Sequence, residues 1–145
     1  MADNLVWTFF YGSNMDPEVL KSVDYLPREI FTAKLSGYDI EINPLANLIR
    51  SDAHCVYGII ASSTHAELNR LYGEYVQAKL GATYLAHPVL CEKPDGSLVP
   101  ALCYLCPAME AAPASDAYLE KIIGPARQFG FPDWYIARLE EFRCA

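Results

Sequence analysis

The feature that most constrains this chain is its first apolar run, Leu5-Val-Trp-Thr-Phe-Phe-Tyr11, which stops at Gly12. A short run of this kind, ended by glycine, reads as a buried strand and commits the fold to a sheet. Just beyond the glycine lies a helix start. Asp16 is a good N-cap, Pro17 stands at the first helical position and Glu18 falls in the first turn.

Strand signals dominate the next stretch. Tyr38, Ile40 and Ile42 alternate with Asp39 and Glu41, which predicts a half-buried strand over 31–42. Residues 46–49 and 55–61 predict two further strands joined by a polar turn. The period then changes. Thr64 and Glu67 have capping-box spacing, and Leu68, Leu71, Tyr72, Tyr75 and Val76 recur on one helical face up to Gly81. Residues 83–91 and 98–105 read as a hairpin around Lys93-Pro-Asp-Gly96, with Pro88 and Pro100 marking edges or bulges. A helix is predicted over 116–123, interrupted by Gly124-Pro125, and a last one over 133–142. Strands first, one interposed helix and two trailing ones define an α+β chain. Its 145 residues predict one domain, 1–145.

Charge and cysteine content narrow the function classes. The net charge is −7, and the 11 Lys and Arg are scattered without a run, which argues against a nucleic-acid partner. No apolar stretch approaches the roughly 20 residues needed to span a bilayer. The opening Met1-Ala-Asp3 carries an acid where a signal peptide carries positive charge, so no membrane and a cytoplasmic location are expected. The five cysteines, Cys55, Cys91, Cys103, Cys106 and Cys144, are odd in number and read as reduced, packed thiols. Cys103 and Cys106 in an extended segment point to opposite faces, and no second Cys or His pair accompanies them, so no metal site is expected there.

The chemistry is concentrated in Tyr11-Gly-Ser-Asn14, between the first strand and a helix start. Gly12 allows a sharp turn and close approach of a ligand to the backbone, and successive N–H groups there form a concave site for negative charge. The same residues are also good formers of an ordinary turn.

Phe10-Tyr-Gly-Ser-Asn-Met15 after an apolar strand resembles the signature of the γ-glutamylcyclotransferase-like superfamily. The likeness continues in order through Ala46-Asn-Leu48, Val56-Tyr-Gly58, Leu68-Asn-Arg-Leu71, Tyr84, Asp95-Gly96 and Tyr104-Leu105. Tyr118-Leu-Glu-Lys-Ile-Ile-Gly-Pro-Ala126, Gly130-Phe-Pro132 and Tyr135 are similar to the C-terminal pattern of the glutathione-pathway branch. The resemblance implies a small mixed β-barrel with flanking helices and a cavity at the Tyr-Gly-Ser-Asn loop. It further implies cleavage of a γ-glutamyl amide to 5-oxoproline and a free amine, without metal or cofactor. In that chemistry a carboxylate takes the proton of the substrate's α-amine, and the N–H groups of Gly12 to Asn14 hold the oxyanion.

The sequence departs from this pattern at one place. The position of the family's catalytic Glu, late in the helix that begins near Thr64, is occupied by Tyr75, a poor base with an ordinary pKa of about 10. Glu74 is its neighbour and takes the catalytic role if Gly73 and the longer segment before Tyr84 shift the register. In an unbroken α-helix Glu74 shares the polar face with Glu67, Arg70 and Gln77, while Tyr75 points inward. The expected site is therefore Glu74 as catalytic residue with Tyr11, Gly12, Ser13, Asn14 and Tyr75 binding substrate. The partner is a small γ-glutamyl substrate or analogue; the oligomeric state stays open, a homodimer included. The rival expectation is a binding protein on the same fold that takes an anionic or carbonyl ligand and has lost the catalytic Glu. A third is different chemistry in the same cavity through Tyr75 or a cysteine.

Overall fold

The computed structural model describes residues 4–143; Cys144 and the opening Met1 to Asp3 lie outside the described residues. Strands β1 (Val6–Phe10), β2 (Ile30–Ile42), β3 (Ala46–Ser63), β4 (Leu85–Glu92) and β5 (Leu98–Leu105) close into a barrel in the order β1-β3-β2-β4-β5. All neighbours run antiparallel except β1 and β5, which pair in parallel through Thr8–Leu102 and Phe9–Cys103. The architecture is α+β, a small mixed barrel with flanking helices, as expected. Phe9, Phe10, Ile59 and Ile60 are buried on the paired β1 and β3.

β2 and β3 form one long hairpin. Where the sequence predicts two strands at 46–49 and 55–61 joined by a turn, the structure has a single strand of 18 residues. The polar stretch 50–54 is exposed or half-exposed along the middle of that strand, so it carries no alternation of burial. The ladder with β2 nonetheless continues on both sides of a bulge, through Tyr38–Arg50 and Ser36–Cys55. Polar composition there marks exposure, not a turn.

The β4–β5 hairpin closes the barrel. β4 meets β2 through one pair only, Lys34 and Glu92, whose charges lie 3.5 Å apart. The rest of that edge of β4 is unpaired with β2, which is why Pro88, lacking an N–H, is tolerated.

The helices cap and flank the barrel. A 3₁₀ turn (Ser13–Met15) leads into α1 (Pro17–Lys21), whose N-cap Asp16 accepts the Glu18 N–H at 3.0 Å. α2 (His65–Arg70) has the full capping box: the Glu67 N–H donates to Thr64 Oγ1 and the Thr64 N–H to Glu67 Oε1. The helix then rewinds. Leu71–Leu80 is π-helical and ends at Gly81, whose φ of 76° is the left-handed conformation glycine adopts freely.

α3 (Asp116–Gln128) runs straight through Gly124-Pro125, where the sequence predicts an interruption. Ile122, Ile123, Pro125 and Ala126 are all buried on it, and packing of that face offsets the hydrogen bond Pro125 cannot make. α4 (Asp133–Glu140) is tied to β2, with Arg138 donating to Asp39 and to the Ile40 carbonyl, both at 3.2 Å. Among the described residues no helix is long and apolar enough to cross a membrane.

Candidate functional site

The end of β1 delivers the Tyr-Gly-Ser-Asn turn to one mouth of the barrel. Tyr11 is fixed by its hydroxyl, which donates to the Tyr104 carbonyl of β5 at 2.7 Å. Met15, fully buried, anchors the other end of the turn. Between them the chain makes a 3₁₀ turn, with the Met15 N–H bonded to the Gly12 carbonyl and the Asp16 N–H to the Ser13 carbonyl. The first N–H groups of such a turn have no partner within it. Among the described residues no main-chain bond outside the regular elements takes the N–H of Gly12, Ser13 or Asn14.

Those residues line a small niche of about 30 Å³, large enough to admit a water-sized group. Opposite them stand Ala46 and four tyrosines from four separate segments: Tyr72, Tyr84, Tyr104 and Tyr118. Ala46 is held from both sides. Its N–H donates to the Tyr118 hydroxyl oxygen at 2.9 Å, and its carbonyl accepts from the Tyr84 hydroxyl at 2.5 Å.

Gly12 is required here for room. Its φ of −117° is open to any residue, but an added Cβ would come within 2.7 Å of the Ala46 Cβ. The expectation that glycine serves the turn is thus replaced by a contact across the niche.

Every tyrosine of the niche is held neutral. Burial pushes Tyr11, Tyr72, Tyr84 and Tyr104 up, and burial brings Tyr118 to about 12 against the opposing effect of the Ala46 N–H. Two buried polar atoms beside the niche have no hydrogen-bond partner, the Asn14 Oδ1 and the Tyr75 hydroxyl. Among the described residues no three of His, Cys, Asp and Glu come together as a metal-ligand group.

Of the residues singled out in the sequence, Tyr11, Gly12, Ser13 and Asn14 all line the niche. Tyr75 is 6% exposed and stands behind it, with the Lys121 ammonium of α3 5.9 Å from its ring centre. Glu74 is exposed and does not line the niche. Of the other acids, Glu41 lines a separate recess with Asn43 and Asn47, Glu92 pairs with Lys34, and Asp52 and Glu110 are exposed. Cys91 and Cys103 are buried, and burial pushes both thiols up, Cys91 to about 12. The tyrosine wall is the part of the site that sequence reasoning missed. Its signal was available, since Tyr84, Tyr104 and Tyr118 all fall within the segments of family resemblance.

The fold has close counterparts among solved structures. A γ-glutamyl cyclotransferase superposes with a TM-score of 0.83 at 21% identity, covering 98% of this chain and 90% of that one. An uncharacterized protein from Homo sapiens gives 0.81 at 20% identity, covering 97% and 89%. A γ-glutamyl cyclotransferase specific to glutathione, from yeast, gives 0.66 at 12% identity, covering 97% and 96%. The chain has the γ-glutamylcyclotransferase-like fold. No protein-family model matches the sequence, and no curated protein gives a significant match.

Proposed function

We propose that the protein binds the γ-carbonyl of a γ-glutamyl amide at the Gly12–Asn14 turn and cleaves the amide to 5-oxoproline and a free amine. The observation that carries this reading is that the Gly12–Asn14 turn, whose N–H groups take no main-chain bond outside the regular elements, lines a small niche on a fold shared with γ-glutamyl cyclotransferases. The carbonyl oxygen enters the niche. The substrate's α-amine nitrogen attacks the γ-carbon, the oxygen takes on negative charge against the backbone donors, and the bond to the leaving nitrogen breaks. Each such donor is worth about 3 kcal/mol to the transition state.

The proton lost by the attacking nitrogen ends on the leaving amine. Tyr118 is suited to relay it: its oxygen accepts the Ala46 N–H, so its own O–H can donate, and burial keeps it protonated at neutral pH. Exposed Glu74 stands outside this proton path.

A second reading is favoured by one specific observation: the niche is lined by tyrosines and no carboxylate among the described residues. On that reading the protein binds the same carbonyl or anionic ligand and releases it unchanged. The two are separated by incubating the protein with γ-glutamyl amides and assaying 5-oxoproline while following the melting temperature. Release of 5-oxoproline supports cleavage. A raised melting temperature with intact ligand supports binding alone, since a ligand of the native state stabilises it. Neither effect with any γ-glutamyl amide removes both.

A further inference from the structure

A second cavity shares no residue with the niche. It encloses about 320 Å³ and is walled by β2, by Tyr57 of β3, by the end of β4 and by the loop between α3 and α4. Lys34 and Glu92, the single pair that joins β2 to β4, both line it. A cavity of this size takes a small organic molecule.

Its apolar wall is aromatic. Phe129 and Phe131 lie with ring centres 6.3 Å apart and planes 22° apart, and Tyr57 meets Phe131 at 5.8 Å. Phe131 is buried, while Phe129 and Tyr57 are half-buried. Another ring packs well on such a surface, with centres about 4.5–7 Å away.

The charged groups come from β2 and from the turn after β4. Lys34 and Glu92 answer each other at 3.5 Å, which leaves Lys93 as the surplus cation of the cavity. Its ammonium lies 4.2 Å from the centre of the Phe31 ring, and no ion pair among the described residues engages it. Asp95, two residues on, is turned to Ser97, whose N–H and hydroxyl donate to it at 2.9 and 2.6 Å. The turn also fixes the Lys93 backbone. The Lys93 N–H donates to the Ser97 carbonyl and the Gly96 N–H to the Lys93 carbonyl, both at 2.9 Å. An ammonium seated on a ring face keeps donors for an anion on its other side.

We propose that this cavity binds a small aromatic carboxylate, its ring against Phe129, Phe131 and Tyr57 and its carboxylate at Lys93. A neutral ring leaves the surplus cation unanswered, and an aliphatic acid leaves the aromatic wall without a planar partner. On a chain of net charge −7, a local surplus of positive charge beside apolar rings favours an anion that is itself apolar. The proposal stands independently of the reading of the niche.

The test compares 2-naphthoate with 2-naphthamide, the same ring without the charge, by calorimetric titration of the full chain at neutral pH. The carboxylate is expected to bind tighter by about fivefold, the worth of one partly exposed charge pair. The backbone amide resonances of Ala33 and Gly130 are expected to shift while that of Ser13 holds. Lys93→Gln should bring the two affinities within about twofold of each other. Glu92→Gln removes the one carboxylate among the described lining residues and should widen the preference about threefold. That opposite sign keeps the test intact if the lysine variant folds poorly. Phe129→Ala should weaken both probes about fivefold. Equal wild-type affinities, a preference unmoved by both Lys93→Gln and Glu92→Gln, or shifts at Ser13 in place of Gly130 overturns the site. Binding of neither probe overturns it as well, and none of these results alters the 5-oxoproline assay of the niche.

Discussion

The two walls of the niche are built on opposite terms. On the β1 wall three residues are held: Tyr11 is tied to β5, Met15 is buried, and Gly12 faces Ala46 with no space to spare, while the buried Asn14 Oδ1 has no partner. On the helical wall the backbone is π-wound, the Tyr75 hydroxyl is buried without a partner, and Gly73 has nothing within 4 Å of where a Cβ would stand. One wall is held by packing, the other has slack. Residues only a few ångströms apart across a site therefore tolerate change very differently, according to what sits behind them.

Gly12→Ala should do the most damage. It forces Ala46 away from the turn, and overpacking of this kind costs about 1–3 kcal/mol. We expect that loss in chemical denaturation, with ligand binding abolished. A variant that keeps native stability and native binding would mean that the β1 wall yields as readily as the helical one.

Tyr118→Phe comes next. It leaves the buried Ala46 N–H without an acceptor, at a cost of about 1–3 kcal/mol. A pH signature accompanies the loss. Below pH 10 this tyrosine is neutral in both folded and unfolded chains. Between 10.0 and about 12 it ionises only when unfolded, so the wild-type loses stability across that window. The slope from one such group is at most about 1.4 kcal/mol per pH unit. Stability measured across that window should fall less steeply in the variant.

Gly73→Ala tests the slack wall with the same change made at Gly12. With open space around it and no left-handed backbone to strain, alanine is expected to raise stability by about 0.5–1 kcal/mol. A loss would show that the π-wound turn is as tightly packed as the β1 turn. Least should change with Glu74→Gln, exposed and outside the niche, which is expected to leave ligand affinity and any 5-oxoproline release within about twofold of wild type. A tenfold loss of release would restore Glu74 to the mechanism.

Much of this contrast was legible in the sequence, for reasons specific to each element. Asp16 and the Thr64–Glu67 box were readable because capping is local chemistry, complete within four residues. The Tyr11–Asn14 turn was readable for the same reason. The continuity of β3 was not, because its exposed middle carries a run of polar side chains and looks like a turn. Nor was the passage of α3 through Pro125, where tertiary burial of Ile122, Ile123 and Ala126 overrides a local breaker. The helix bearing Glu74 and Tyr75 shows the mixture. α-Helical spacing correctly separates their faces, but after Leu71 the buried positions are Tyr75 and Val76 and then half-buried Leu80, a longer period than 3.6. The tyrosine wall was least legible, since its four rings come from four separate segments and meet only once the barrel closes.

The single Lys34–Glu92 pairing between β2 and β4 gives the barrel a seam. When that latch opens, β4 can lift from β2 while β5 remains bonded to β1, and the Tyr11 hydroxyl keeps its hold on Tyr104. Fluctuation is thereby channelled to the side of the cylinder away from the Gly12 turn. Backbone amides flanking Lys34 should trade their protons with solvent sooner than those of Thr8 and Phe9.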